Sequence, residues 1–116
     1  MKIKTVYQFN FGHIKKSSDK RLRVFISKIV FYLKEDLAVT NHSGFSSVYM
    51  PQWFGLSKNG KTVYEGYFSY SKSKVTGRKN YYCTLSQRIE NQDWESVKHI
   101  DIDLIDKDQK EDREIL

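Results

Sequence analysis

Cysteine and proline are almost absent from this sequence, with one residue of each type among 116. The single cysteine, Cys83, has no intramolecular disulfide partner, which excludes a disulfide-stabilised scaffold and a zinc site built from several cysteines. Long apolar runs are also missing: no segment reaches the roughly 20 apolar residues that span a bilayer, and the N-terminus lacks the unbroken apolar stretch of about 7 to 15 residues found in secretory signals. These absences predict a cytoplasmic protein with no membrane-spanning segment.

Acidic residues are scarce in the first three-quarters of the chain. Residues 1–89 contain 16 Lys and Arg against 4 Asp and Glu, a charge of +12, whereas residues 90–116 contain 4 against 10, a charge of −6. A small domain at +12 attracts polyanions, of which nucleic acid is the commonest, and salt screens that attraction. The alternative is that the lysines only keep the protein soluble. The acidic residues 106–114 are expected to compete with polyanions for the basic surface.

The sequence patterns predict a single α+β domain over residues 1–105, followed by a charged C-terminal tail over residues 106–116. Apolar and polar side chains alternate over residues 2–11, which indicates a strand. Over residues 22–37 the apolar side chains recur at the period of an amphipathic helix. The tail is nearly all charged, so it has no apolar face to bury against a core.

Four further segments are interpreted as an antiparallel meander. Residues 48–56 contain the proline, which predicts an edge strand or a loop. They are joined to residues 61–70 by Asn59-Gly60, a pair typical of a tight hairpin turn. Residues 80–89 and 97–105 also alternate as strands do. The predicted fold class is therefore α+β, with an N-terminal strand, one amphipathic helix and an antiparallel meander of about four strands.

Cations and aromatic rings are interleaved around a predicted loop at residues 71–79. The candidate nucleic-acid-binding residues there are Lys72, Lys74, Arg78, Lys79, Tyr67, Tyr70 and Tyr82. Single strands are commonly held by basic groups that contact phosphates and by aromatic faces on which bases stack. A second basic group near the start of the helix, with Lys15, Lys16 and Arg21, would extend this surface. The alternative is that the rings are cross-strand packing pairs and that the charges are only solvated.

The only enzyme-like set of side chains is His99, Asp101 and Asp103, which share one face of the last predicted strand. With Asp93 or Glu95 they would hold a hard divalent ion, as a nuclease requires. A charged edge that discourages strand pairing has the same pattern. Because no other catalytic arrangement stands at a recognisable spacing, we expect a protein without catalytic activity, metal or cofactor.

These features favour a small non-enzymatic intracellular protein whose basic, aromatic-rich surface binds nucleic acid, preferably single-stranded, or a nucleoprotein complex. The rival hypothesis is an inhibitor or adaptor encoded by a phage or another mobile element. It would bind a host protein through an aromatic patch, or through an acidic end that mimics DNA. Exposed Tyr67 and Tyr82 beside the loop would favour nucleic acid, whereas an exposed tryptophan patch, from Trp53 or Trp94, would favour a protein partner.

Overall fold

The computed structural model describes residues 3–13, 19–42, 52–89 and 97–105. The elements in these ranges are β1 (Lys4–His13), α1 (Asp19–Leu33), β2 (Ala38–His42), β3 (Gln52–Lys58), β4 (Lys61–Lys72), β5 (Lys79–Gln87) and β6 (Val97–Asp103). The domain is thus a small mixed α/β domain, mostly strand, with one helix among the described residues. The first strand and the amphipathic helix predicted from the sequence are confirmed. The predicted tail over residues 106–116 lies outside the described residues.

The six strands form one sheet in the order β2-β3-β4-β5-β1-β6. Each neighbouring pair from β2 to β1 is antiparallel, whereas β6 runs parallel to β1. The predicted meander is therefore wrong about which strands it contains and which strands are neighbours. β2 is an additional strand that the predicted meander did not include, and β6 lies beside β1 instead of β5. Alternation identifies a strand, but it does not identify the neighbour with which that strand pairs.

α1 ends earlier in the sequence than the apolar pattern over residues 22–37 predicts. The helix ends at Leu33 because Lys34 adopts a left-handed φ of 56°, while its amide donates to the Val30 carbonyl oxygen at 3.3 Å. Leu37 still packs against the core, but from the connection to β2. Because β2 pairs with β3, the described part of the segment predicted as an edge strand or a loop, residues 52–56, belongs to an interior strand. Residues 48–51 of that segment lie outside the described residues.

The core lies between α1 and one face of the sheet. Phe11 of β1 stacks on Phe25 of α1 with ring centroids 4.0 Å apart, and Phe25 also contacts Phe68 of β4. The largest fully buried side chains are Phe9, Phe54, Leu22, Ile29, Leu56, Leu85 and Cys83. Because side chains alternate along a strand, the intervening residues occupy the second face of the sheet. No helix in the described ranges covers that second face.

Candidate nucleic-acid interface

The second face of the sheet, here called the open face, carries exposed aromatic and polar side chains. One row across five strands follows from the register and consists of Trp53, Tyr67, Thr84, Gln8 and Asp101. The next row includes Ser69, Tyr82, Asn10 and Asp103. Trp53 is 44% exposed and Tyr67 is 52% exposed, while Tyr82 is half-buried. The open face therefore presents aromatic rings to solvent on β3, β4 and β5.

Trp53 and Tyr67 are direct cross-strand partners, and this pairing depends on a bulge. The turn at Asn59 and Gly60 has φ values of 55° and 78°, as a tight hairpin requires, which confirms the predicted hairpin between β3 and β4. Between Leu56 and Ser57 the register then shifts by one residue. Directly opposite side chains share a face, so the shift puts the two rings side by side on the open face.

The exposed loop at the end of the β4–β5 hairpin, residues 73–78, is held by short-range hydrogen bonds. The Ser73 amide donates to the Arg78 carbonyl oxygen, and the Gly77 amide to the Ser73 carbonyl oxygen, both at 2.9 Å. The Ser73 hydroxyl accepts from the amides of Val75 and Thr76 at 3.3 and 3.2 Å. Such side-chain to backbone bonds favour turns. The loop consequently presents Lys74 and Arg78 as exposed cations on a defined backbone.

The base of this hairpin carries a second set of rings and cations, on the face that α1 covers. Tyr70 and Tyr81 are paired across the strands with ring centroids 5.6 Å apart, and the next pair outward on the same face is Lys72 with Lys79. The Lys79 ammonium lies 4.7 Å from the centre of the Tyr70 ring, which is a cation–π contact. Tyr70 therefore does not share a face with Tyr67 and Tyr82. The tyrosines predicted as one surface are divided between the two faces of the sheet.

The predicted second basic group is only partly described. Lys15 and Lys16 lie outside the described residues. Arg21, in the first turns of α1, is buried at 5% exposure, whereas the neighbouring Lys20 and Arg23 are exposed. Its side chain therefore lies within the packed part of the domain, and the prediction that Arg21 contributes to an exposed basic surface is wrong.

The acidic face of β6 is internally hydrogen-bonded. His99 and Asp101 contact each other at 3.2 Å between Nε2 and Oδ1, and Asn10 donates from Nδ2 to Asp103 Oδ1 at 3.1 Å. In the part of the chain that the structure describes, no group of three His, Cys, Asp or Glu residues is placed to hold a metal ion. Asp93 and Glu95 lie outside that part. The observed contacts fit a charged edge strand.

Cys83 and Tyr64, both in the core, have shifted pKa values. Cys83 is fully buried, and burial raises the pKa of its thiol, as is typical of a cysteine that packs as a small apolar side chain. Burial also raises the pKa of Tyr64, and so does the hydrogen bond that its hydroxyl donates to Glu35 Oε2 at 2.5 Å. Glu35 in turn lies 3.6 Å from the Lys58 ammonium. These contacts tie β3 and β4 to the C-terminal end of α1.

An apolar groove lies on the opposite side of the molecule from the open face. It is bounded by α1 and β6, and its apolar lining includes Tyr7, Val24, Phe31, Tyr32, Ile100 and Leu104. Phe31 is 85% exposed there. This ring provides an exposed aromatic side chain, remote from the open face, for control experiments.

The charged pair formed by Glu65 and Arg88 on the open face was missed by the sequence analysis. The Arg88 Nη1 atom lies 3.7 Å from Glu65 Oε1. The alternation of side chains along a strand could have revealed that these two residues share a face with the rings. Glu65 precedes Tyr67 by two residues, and Arg88 follows Tyr82 by six. Residues an even number apart share a face of a regular strand.

Within the described ranges, no helix is both long enough and apolar enough to cross a membrane. The chain matches no protein-family model, no curated protein and no solved structure. The assignment of a function therefore rests on the geometry of the open face and of the hairpin loop.

Proposed function

We propose that this protein is a non-enzymatic binder of single-stranded nucleic acid, which lies on the open face next to the β4–β5 hairpin. The observation that carries the proposal is the exposed pair Trp53 and Tyr67, with Tyr82 on the neighbouring strand. Base stacking on an exposed ring contributes about 1 to 3 kcal/mol per base and tolerates any sequence. Strand β4 connects these rings directly to the cations of the hairpin.

The distribution of charge supports an orientation for the bound strand. Tyr67 lies five residues before Lys72 on β4, which is about 17 Å at roughly 3.3 Å per residue. A strand stacked on Tyr67 would thus reach the exposed loop, where Lys74 and Arg78 neutralise phosphates. The β6 edge of the same face carries Asp101 and Asp103, which repel a polyanion. We therefore place the strand over β3, β4 and β5.

A protein partner is the second candidate, because Trp53 is exposed, as expected for a protein-binding patch, although Tyr67 is exposed too. Trp94 lies outside the described residues. Tryptophan and tyrosine are enriched among the residues that dominate protein interfaces. Nucleic acid is favoured because the exposed cations Lys74 and Arg78 lie at the end of the two strands that carry Tyr67 and Tyr82, within reach of a strand several nucleotides long. A pull-down from a lysate separates the two candidates: nuclease treatment would abolish capture through nucleic acid and would leave direct capture of a protein intact.

The experiment that tests the proposal measures the affinity of the protein for a labelled 12-nucleotide single strand at low salt, by fluorescence anisotropy. Tyr67→Ala is expected to weaken binding fivefold or more, because about 1 kcal/mol or more of stacking is lost. Phe31→Ala is the matched control, since it removes an exposed ring from the far side. The proposal fails if the unmodified protein does not bind, or if the two variants weaken binding equally.

A further inference from the structure

A cavity of about 330 Å³ opens on the sheet between β3 and β4, beside the exposed pair of rings. Its lining includes Trp53, Gly55, Thr62, Glu65, Tyr67 and Arg88. The volume is at the lower end of the roughly 300 to 1,000 Å³ of small-ligand pockets, which suits a ligand of the size of one nucleobase.

Glycine at position 55 helps to leave room for this cavity. Gly55 is two residues from Trp53 on β3 and is the direct partner of Glu65 on β4, so all three positions belong to the open face. A position without a side chain lies between the indole ring and the carboxylate. The side chains that line the cavity beside this buried glycine are the aromatic Trp53 and Tyr67 and the charged Glu65 and Arg88.

The two charged groups of the cavity are adjacent and solvent-accessible. The Glu65 carboxylate and the Arg88 guanidinium are 3.7 Å apart, with side-chain exposures of 54% and 63%. The Arg88 amide donates to the Val63 carbonyl oxygen at 2.7 Å, which anchors the base of the arginine beside β4. Exposed ion pairs of this kind interact weakly, so both groups can form hydrogen bonds to a ligand instead.

We propose that this cavity binds a guanine base of the single strand, an inference that rests on the proposed function. Guanine presents the acceptor O6 directly beside the donors N1–H and N2–H on one edge. Arginine donates to O6, and a carboxylate accepts from N–H donors. The adjacent Arg88 and Glu65 match this order of acceptor and donors, whereas adenine, cytosine and thymine each lack a part of it. The base would lie against Trp53 or Tyr67.

The test compares two labelled 11-nucleotide strands, one of thymine only and one with a single central guanine, with the full chain. The unmodified protein is expected to bind the guanine strand about tenfold more tightly, which is within the discrimination that paired hydrogen bonds to a base provide. Replacing that guanine by hypoxanthine, which lacks the exocyclic amino group, should reduce the preference. Glu65→Gln should abolish it while binding of the thymine strand persists.

Asp101→Asn is the matched control, because Asp101 is an exposed carboxylate on the same face but at the β6 edge. It should leave the preference for guanine unchanged. Equal binding of both strands by the unmodified protein would overturn the guanine inference and leave the proposed function standing, and so would a preference that survives Glu65→Gln. Failure to bind either strand would refute the proposed function and the inference with it.

Discussion

At the residue scale, Gly66 shows how packing in the core determines which side chains lie next to each other on the open face. It is the cross-strand partner of Phe54, whose fully buried ring lies across the glycine. A Cβ atom on residue 66 would lie 2.5 Å from Phe54 Cε1 and 3.1 Å from Leu85 Cδ1. Only glycine therefore lets Phe54 enter the core at this register, and the same register pairs Trp53 with Tyr67.

Gly66→Ala is expected to lower the free energy of unfolding by about 1 to 3 kcal/mol, because overpacking displaces the Phe54 ring. Urea unfolding measures this change. The cost should be smaller in a Phe54→Leu background, where the clashing ring is absent. An equal cost in both backgrounds would show that the ring is not its source.

Tyr64 is expected to make the domain less stable at alkaline pH. Its pKa lies above the ordinary value of 10.0, because burial and the hydrogen bond to Glu35 both favour the protonated phenol. The native state therefore holds the proton more tightly than the unfolded chain does. The corresponding stabilisation is fully present below about pH 10 and is lost as the pH rises toward the native-state pKa.

Tyr64→Phe should therefore reduce the loss of stability above about pH 10, measured by urea unfolding at a series of pH values. At neutral pH the variant should be about 1 to 2 kcal/mol less stable, because the hydrogen bond to a carboxylate is lost. Tyr7, whose pKa is also raised, remains in both proteins, so part of the loss of stability at alkaline pH persists in the variant. An identical alkaline slope in both proteins would contradict this assignment.

At the element scale, the β4–β5 hairpin is expected to supply the ionic part of binding. Lys74→Ala combined with Arg78→Ala should make the slope of log affinity against log salt less negative by about 1.4, since each phosphate contact on a single strand contributes about 0.7. Stability should change by less than about 0.5 kcal/mol, because both side chains are exposed in a loop held by Ser73.

The matched control for this double variant replaces two lysines away from the loop, Lys28 on α1 and Lys61 at the far end of β4. Lys28→Ala with Lys61→Ala removes the same charge and should leave the salt slope nearly unchanged. Equal slopes for both double variants would indicate a diffuse attraction without contacts at the loop.

Local sequence patterns predicted the elements that depend on local chemistry. Alternation identified β1, Asn59-Gly60 identified the β3–β4 turn, and the apolar stripe identified α1. The sequence gives no local signal for the bulge after Leu56, yet that bulge sets which residues share the open face. Without it, the two-residue turn would place Phe54 opposite Glu65, and an apolar core residue would share a face with a carboxylate.

For the candidate site, too, sequence patterns predicted what depends on local chemistry and missed what depends on contacts distant in sequence. The positions of Lys74 and Arg78 in an exposed loop follow from a polar stretch between two strands. The division of the tyrosines follows from parity, which separates Tyr70 from Tyr67 and Tyr82 once the strand is continuous. The burial of Arg21 could not be predicted, because it depends on how α1 lies across the sheet. Nor could the parallel pairing of β6, which is fixed by contacts distant in sequence.

At the scale of the whole molecule, the sheet separates two surfaces of different chemistry. The open face has rings over β3 to β5, a basic hairpin at one end and an acidic edge along β6. The opposite side has α1 and the apolar groove with Phe31. A polyanion is attracted by the hairpin and repelled by β6, so the charge distribution should orient a bound strand as well as attract it.

The central claim, that a single strand binds on the open face, is tested most directly by nuclear magnetic resonance of the labelled full chain during titration with a 12-nucleotide single strand at low salt. The indole N–H of Trp53 and the ring signals of Tyr67 and Tyr82 should shift progressively and saturate, while the Phe31 ring signals stay in place. Shifts confined to Phe31 and its neighbours in the groove, or no shifts at any strand concentration, would contradict the account.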